Sequence, residues 1–261
     1  MYSTPYPDVN NILDSLLSQI HFILGGKLVG LYLYGSLVSG DFDYHISDID
    51  LVAVTTSDLT DTEFNRLDEM HNRITAQYEA WQDRIEIAYI STTALKTYKS
   101  RRSQLAIISP GEPFHFKEAG KDWAINWYVV REKGVALFGP PPQAIIDPIT
   151  REEFIRIVIV QTKSWTDWLD HIQSRPYQAY AILTMCRALY AYKHGEQFSK
   201  EQAALWAQRE LPEWAPLIND ALSWREAYRD SQVDDQATLP RTLDFVRFAI
   251  SRVTATEPTE R

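Results

Sequence analysis

Two carboxylates one residue apart stand at the start of an apolar run: Asp48-Ile49-Asp50 leads into Leu51-Val52-Ala53-Val54. On a strand alternate side chains share a face, which sets Asp48 and Asp50 about 6–7 Å apart on one side. Like charges at that spacing repel unless something positive lies between them, and a hard divalent cation with oxygen ligands is the natural occupant. An earlier apolar run, Leu31-Tyr32-Leu33-Tyr34, ends in Gly35-Ser36, eleven residues ahead of Asp48. A Gly-Ser step at a strand end offers backbone N–H groups and a hydroxyl, the equipment of a phosphate cradle. Metal ligands beside a phosphate cradle imply a nucleotide enzyme.

The elements that must position these groups follow from hydrophobic spacing. Residues 8–24 repeat apolar side chains at helical intervals, between Pro7-Asp8 and Gly25-Gly26. Residues 28–34 and 48–54 read as buried strands, joined by a polar loop from Ser39 to Ser47. A helix is expected over residues 62–78, with Phe64, Leu67, His71, Ile74 and Tyr78 on one face. Residues 84–90 alternate as a strand, with Arg84, Glu86 and Ala88 on one side and Ile85, Ile87 and Tyr89 on the other. The aromatic-rich stretch 122–131 reads as helical. Gly139-Pro140-Pro141-Pro142 is the strongest break in the chain. Beyond it strand signals fade, and residues 152–171, 177–194, 200–210, 214–228 and 239–254 all carry helical patterns. The expected fold class is α+β: a mixed-sheet domain over residues 1–145, then an all-helical bundle over 146–261. The final Thr-Glu-Pro-Thr-Glu-Arg reads as a frayed tail.

Bulk properties narrow the function classes. The 261 residues suffice for one large or two small domains, and 45% hydrophobic with 23% charged residues is ordinary for a globular protein. A net charge of −9 leaves no basic stripe for a sequence-independent grip on nucleic acid, so none is expected as a partner. No apolar run is long enough to span a bilayer, and the start Met1-Tyr2-Ser3-Thr4-Pro5 lacks a secretory pattern. The single cysteine, Cys186, fits a reducing compartment, so a cytoplasmic location is expected. Gly25-Gly26-Lys27 lacks P-loop spacing and reads as a helix stop. His45 and His115 read as loop histidines without a catalytic part. Ser36 has no Gly-x-Ser-x-Gly elbow around it and is not read as a hydrolase nucleophile.

Gly35-Ser36, the eleven-residue gap and Asp48-Ile49-Asp50 resemble the metal and phosphate signature of the DNA polymerase beta-type nucleotidyltransferases. Leu33-Tyr34-Gly35-Ser36 and Ser47-Asp48-Ile49-Asp50-Leu51 are similar to the corresponding motifs of the streptomycin and spectinomycin adenylyltransferases. Further blocks resemble that family in the same order: residues 134–140, 183–187, 199–201, 207–212 and 225–228.

The resemblance implies Mg²⁺ as cofactor, ATP as co-substrate and a small polar molecule with a hydroxyl as acceptor. It implies a third carboxylate on a neighbouring strand, which Glu86 supplies as metal ligand and general base beside Asp48 and Asp50. Glu is a poor packing choice in the middle of Arg84-Ile85-Glu86-Ile87-Ala88. Gly35 and Ser36 are expected to hold the β- and γ-phosphates, and Ser47 is a further triphosphate contact. By resemblance, Arg187 and Lys200 are phosphate contacts and Tyr228 a nucleotide contact. The family carries an acidic residue for its cationic drug just ahead of the block at residues 183–187. Here that segment is Arg175-Pro176-Tyr177-Gln178-Ala179-Tyr180, which offers no carboxylate. Residues 96–127 depart as well. Both departures fall where an acceptor binds, so an aminoglycoside acceptor stands beside two alternatives: a protein-adenylylating, antitoxin-like enzyme, and a non-catalytic nucleotide-binding module.

Overall fold

Three central strands are apolar enough to be covered on both faces, and that requirement sets the architecture of the first half of the chain. The computed structural model describes residues 4–226 and 235–255. The chain divides into two compact units between Pro148 and Ile149. The sequence-based boundary at 145/146 falls slightly short, because the break segment is held to the first unit: Lys99 Nζ donates to the Pro148 carbonyl at 3.3 Å.

In the first unit, β1 (Leu28–Tyr34), β2 (Ile49–Thr55) and β3 (Ile85–Ser91) lie side by side. Helices α1 (Pro7–Leu24) and α3 (Asp61–Gln77) pack together, and a short helical turn α2 (Ser36–Ser39) follows β1. Past β3 the chain forms α4 (Thr92–Thr97), the hairpin β4 (Ser103–Ser109) and β5 (Glu112–Ala119), α5 (Ala124–Lys133) and β6 (Val135–Phe138). Among the described residues these strands make a six-stranded sheet in the order β5-β4-β3-β2-β1-β6. Only β2 and β3 run parallel; the other neighbours are antiparallel.

One sheet face carries Leu31, Leu33, Ile49, Leu51, Ala53, Ile87 and Tyr89, packed with Ile12, Leu16, Ile20, Leu67, Met70 and Ile74 of α1 and α3. The opposite face carries Tyr32, Val52, Val54, Ala88 and Ile90, and these too are buried. Helix α3 starts with a reciprocal capping box between Thr60 and Glu63. Glu63 also takes the Lys27 ammonium at 2.6 Å, so the Gly-Gly-Lys lysine is committed to an ion pair.

His71 sits in this core at 3% exposure, its Nε2 2.9 Å from the Tyr89 hydroxyl. Burial pushes its pKa from 6.5 down to about 3. The unfolded chain therefore binds one more proton than the native one between those two values. Stability is full above the unfolded pKa and falls as the pH drops through that window, by at most about 1.4 kcal/mol per pH unit. His71→Phe is expected to flatten the acid slope of Tm between pH 6 and 4 relative to the parent chain; parallel profiles would show that other groups carry it.

The second unit is built on α7 (Arg175–His194), buried on nearly every side. Helices α6 (Arg151–Ser164), α8 (Lys200–Glu210), α9 (Ala215–Glu226) and α10 (Asp235–Thr254) pack against it. Gln178 of α7 accepts hydrogen bonds from Thr238 Oγ1 at 2.7 Å and Thr242 Oγ1 at 3.1 Å, a buried polar tie to α10. Residues 165–171, read from sequence as the end of one long helix, tighten into a 3-10 segment. Trp165, Trp168 and His171 recur every third residue, the spacing at which such a helix aligns side chains, and their rings lie 6.4 and 5.3 Å apart in succession. The Cys186 thiol is fully buried and its pKa raised by that burial, so it is an inert packing group. The terminal segment read as a tail lies outside the described residues.

Candidate active site

In β2 every residue but the second is buried, and the same is true of β3; those two residues are Asp50 and Glu86. The parallel register sets them opposite each other. Neighbouring strands run about 4.8 Å apart, so the two carboxylates leave the sheet side by side on one face. On the other flank of Asp50 the register places Tyr34, the last residue of β1. Its hydroxyl donates to Glu86 Oε1 at 3.3 Å. Asp48, two residues before Asp50, is close enough to Glu86 for its charge to be felt there. Ser109, the last residue of β4, donates its hydroxyl to Glu86, and the Lys117 ammonium of β5 acts on the same carboxylate.

The electrostatics follow from this crowding. Burial, above all, holds the Glu86 carboxyl above its usual range, and the Asp48 charge adds to it; the bonds from Tyr34 and Ser109 and the charge of Lys117 pull the other way. The Tyr34 phenol is raised well above its ordinary value by burial and by the nearby Glu86 and Asp50 charges. It therefore stays protonated and acts as a fixed donor.

Gly35 has φ +69° and ψ −146°, a conformation that L side chains rarely take. A Cβ there would lie 1.9 Å from Asp50 Oδ2. Glycine lets the backbone close directly over the carboxylate. Ser36 then opens the turn α2, with Ser39 N–H bonded to the Gly35 carbonyl at 3.1 Å and Gly40 N–H to the Ser36 carbonyl at 3.2 Å.

The loop ahead of Asp48 is tied at several points. The Ser47 hydroxyl accepts the Asp43 N–H at 2.9 Å, so this candidate phosphate contact already closes a turn. His45 is exposed, and its N–H goes to Asp43 Oδ1. His115 donates Nδ1–H to the Pro113 carbonyl at 2.8 Å.

Arg187 and Lys200 belong to the second unit. Arg187 lies on α7, in line with Tyr180 and Thr184 at helical spacing, and Lys200 opens α8 with its Nζ 4.9 Å from the Tyr180 ring centroid. Tyr228 lies outside the described residues.

Among the described residues, no three acidic, histidine or cysteine side chains already close on a common point with room for an ion. Three carboxylates repel one another, and Glu86 is turned partly to Tyr34 and Ser109. The donor set still fits Mg²⁺ in kind: hard oxygens from a few carboxylates, with waters and phosphate oxygens completing the shell, instead of an all-protein cage.

Tyr34, Ser109 and Lys117 bear on the acids without a role that the sequence alone assigns. Tyr34 was hidden in an apolar run. Ser109 and Lys117 come from a hairpin whose strands lack a clear period in the sequence, although Ser109-Pro110-Gly111-Glu112 carries the Pro-Gly turn signal.

Comparisons with known proteins agree with this layout. Residues 144–251 match the family model described as aminoglycoside adenylyltransferase, C-terminal domain. An aminoglycoside (3'') (9) adenylyltransferase of Escherichia coli is 26% identical over 267 residues, covering 95% of each chain. A spectinomycin 9-adenylyltransferase of Staphylococcus aureus is 25% identical over 230 residues, covering 84% of this chain and 85% of the relative. The fold matches a crystal structure of spectinomycin adenyltransferase AAD(9) from Enterococcus faecialis with ATP and spectinomycin, with a TM-score of 0.75 at 17% identity over 93% of this chain and 99% of that one. In the described residues, no helix is long and apolar enough to cross a membrane. Residues 144–251 thus carry the C-terminal domain of the aminoglycoside adenylyltransferases, and along nearly its whole length the chain is similar in sequence and fold to members of that family.

Proposed function

We propose that this chain transfers AMP from ATP to a hydroxyl of an aminoglycoside-class acceptor. The observation that carries the reading is the register of Asp50 with Glu86, the two least buried positions of their strands, beside a glycine that only a Cβ-free residue can occupy. The names of the relatives, all adenylyltransferases of such drugs, and the ATP and spectinomycin in the neighbouring structure's title support the donor and the acceptor class.

Glu86 takes the proton of the acceptor hydroxyl, and the freed oxygen lone pair forms the new bond to the α-phosphorus of ATP. The bond from that phosphorus to the bridging oxygen breaks, and pyrophosphate leaves. Asp48, Asp50 and Glu86 would hold Mg²⁺, which when bound supplies positive charge against the triphosphate oxygens. The Gly35-Ser36 backbone, the Ser36 hydroxyl and, at a lesser level, Ser47 line the triphosphate path. By resemblance, Arg187 and Lys200 are further candidates for binding phosphate, Arg as a planar fork and Lys as a point charge. A raised Glu86 pKa suits a base that must hold a proton during the transfer.

The test is pyrophosphate release with ATP, Mg²⁺ and a panel of aminoglycosides including streptomycin and spectinomycin. Turnover with at least one drug is expected, abolished by EDTA and lowered about 10²-fold or more in Asp48→Ala. Absence of turnover with every drug, with ATP binding unaltered in Asp48→Ala, would overturn the reading. Label moving from ATP onto a polypeptide instead would favour a protein acceptor.

A further inference from the structure

Asp48 immediately precedes β2, and both of its peptide units are held by Arg84, one by its side chain and one by its main-chain carbonyl where the β2–β3 pairing begins. The carbonyl on its N-terminal side, that of Ser47, accepts from Arg84 Nε at 3.1 Å and from Arg84 Nη2 at 2.6 Å. The N–H on its C-terminal side, that of Ile49, donates to the Arg84 carbonyl at 2.8 Å. The same Nη2 reaches the Tyr44 carbonyl at 2.7 Å. We infer that Arg84 is the positioning residue that presents Asp48 to the site, a role that rests on the metal-ligand reading above.

The guanidinium is itself fixed. It is buried, with Cζ 4.3 Å from the Trp81 ring centroid. The Trp81 indole N–H and the Tyr44 hydroxyl both donate to Asp8 Oδ2 of α1, at 3.1 and 2.6 Å. A chain of contacts thus runs from α1 through Trp81 and Tyr44 to Arg84, and from there to the backbone on either side of Asp48. Arg84 also stands two residues before Glu86, so one residue sets the start of β3 and the approach to β2 together. Lysine cannot replace it fully. An ammonium is a compact donor on a flexible stem, whereas the guanidinium delivers several N–H groups in one rigid plane, stacked on an aromatic face.

The experiment compares Arg84→Lys and Arg84→Gln with Asp48→Asn in the full chain. Mn²⁺ binding is read by electron paramagnetic resonance in the presence of α,β-methylene-ATP, together with Tm and the rates at limiting and saturating Mg²⁺. Loss of an outer-shell partner typically weakens metal affinity or activity ~10–100-fold. Arg84→Gln is expected to weaken Mn²⁺ binding on that scale, and Arg84→Lys by less. At saturating Mg²⁺ the KM for ATP should stay within about 3-fold of the parent, because the triphosphate contacts remain. Mn²⁺ affinity unchanged in folded Arg84→Lys and Arg84→Gln, with only Tm lowered, would overturn the role of Arg84 while leaving the metal reading intact. Unchanged Mn²⁺ binding in Asp48→Asn would overturn both.

Discussion

Glu86→Gln is expected to lower kcat by about 10²-fold or more while ATP still binds. Removing a positioned general base costs on the order of 10²–10⁴ in rate. The amide keeps the shape of the side chain, so Tyr34 and Ser109 can still bond to its carbonyl oxygen, but it neither takes a proton nor carries charge. The pH profile gives a second, independent sign. Burial raises the Glu86 pKa above its ordinary 4.5 in the metal-free chain, so its carboxyl, followed by NMR without Mg²⁺, should titrate above that value. The Tyr34 hydroxyl bonds to the ionised carboxylate and opposes the rise. Tyr34→Phe should therefore move that metal-free titration further up in pH, whereas a Tyr34 that served only packing would leave it in place. Retention of the parent rate in Glu86→Gln would remove Glu86 from proton transfer.

The same carboxylates explain what was legible in the sequence. A central strand buried on both faces reads as a nearly continuous apolar run, and an acid inside it stands out because burying a charge is costly. That is why Asp48, Asp50 and Glu86 could be picked out, and why residues 28–34, 48–54 and 84–90 match β1, β2 and β3 to within a residue at each end. The hairpin β4–β5 escaped for the opposite reason. β5 is the sheet edge, and its polar Glu112, Lys117 and Glu118, together with Pro113, give an edge strand the composition of a loop. β6, at the other edge, is four residues long, too short to show a period. Arg84 left no mark for a subtler reason. Its bonds to Ser47 and Tyr44 are made to main-chain carbonyls, which every residue has, so nothing in the sequence of residues 44–47 announces that an arginine side chain binds there. Helical patterns in the second unit were plain because α7 needs apolar side chains around most of its circumference, and the helices around it need one apolar stripe each.

Gly35→Ala should reduce transfer as severely as Asp50→Ala, about 10²-fold or more, although residue 35 carries no functional group of its own. Two effects meet at that position. The backbone conformation, φ +69° and ψ −146°, is one that residues other than glycine hold only at a cost of about 1–3 kcal/mol. The added methyl would also fall 1.9 Å from Asp50 Oδ2 and 2.7 Å from Asp50 Cγ, so either the carboxylate swings out of line with Glu86 or the turn carrying Ser36 moves. Gly40 separates the two. It has φ +86° in the left-handed region, and a Cβ there would meet nothing within 4 Å. Gly40→Ala should thus pay conformational strain of about 1–2 kcal/mol without touching an acid. Measured by thermal unfolding and by pyrophosphate release, both variants should lose stability, and only Gly35→Ala should lose most of its rate per folded molecule. Equal rates in the two variants would mean that the close approach of Gly35 to Asp50 does not set the carboxylate proposed to hold metal, and the arrangement proposed for the site would fail at that contact.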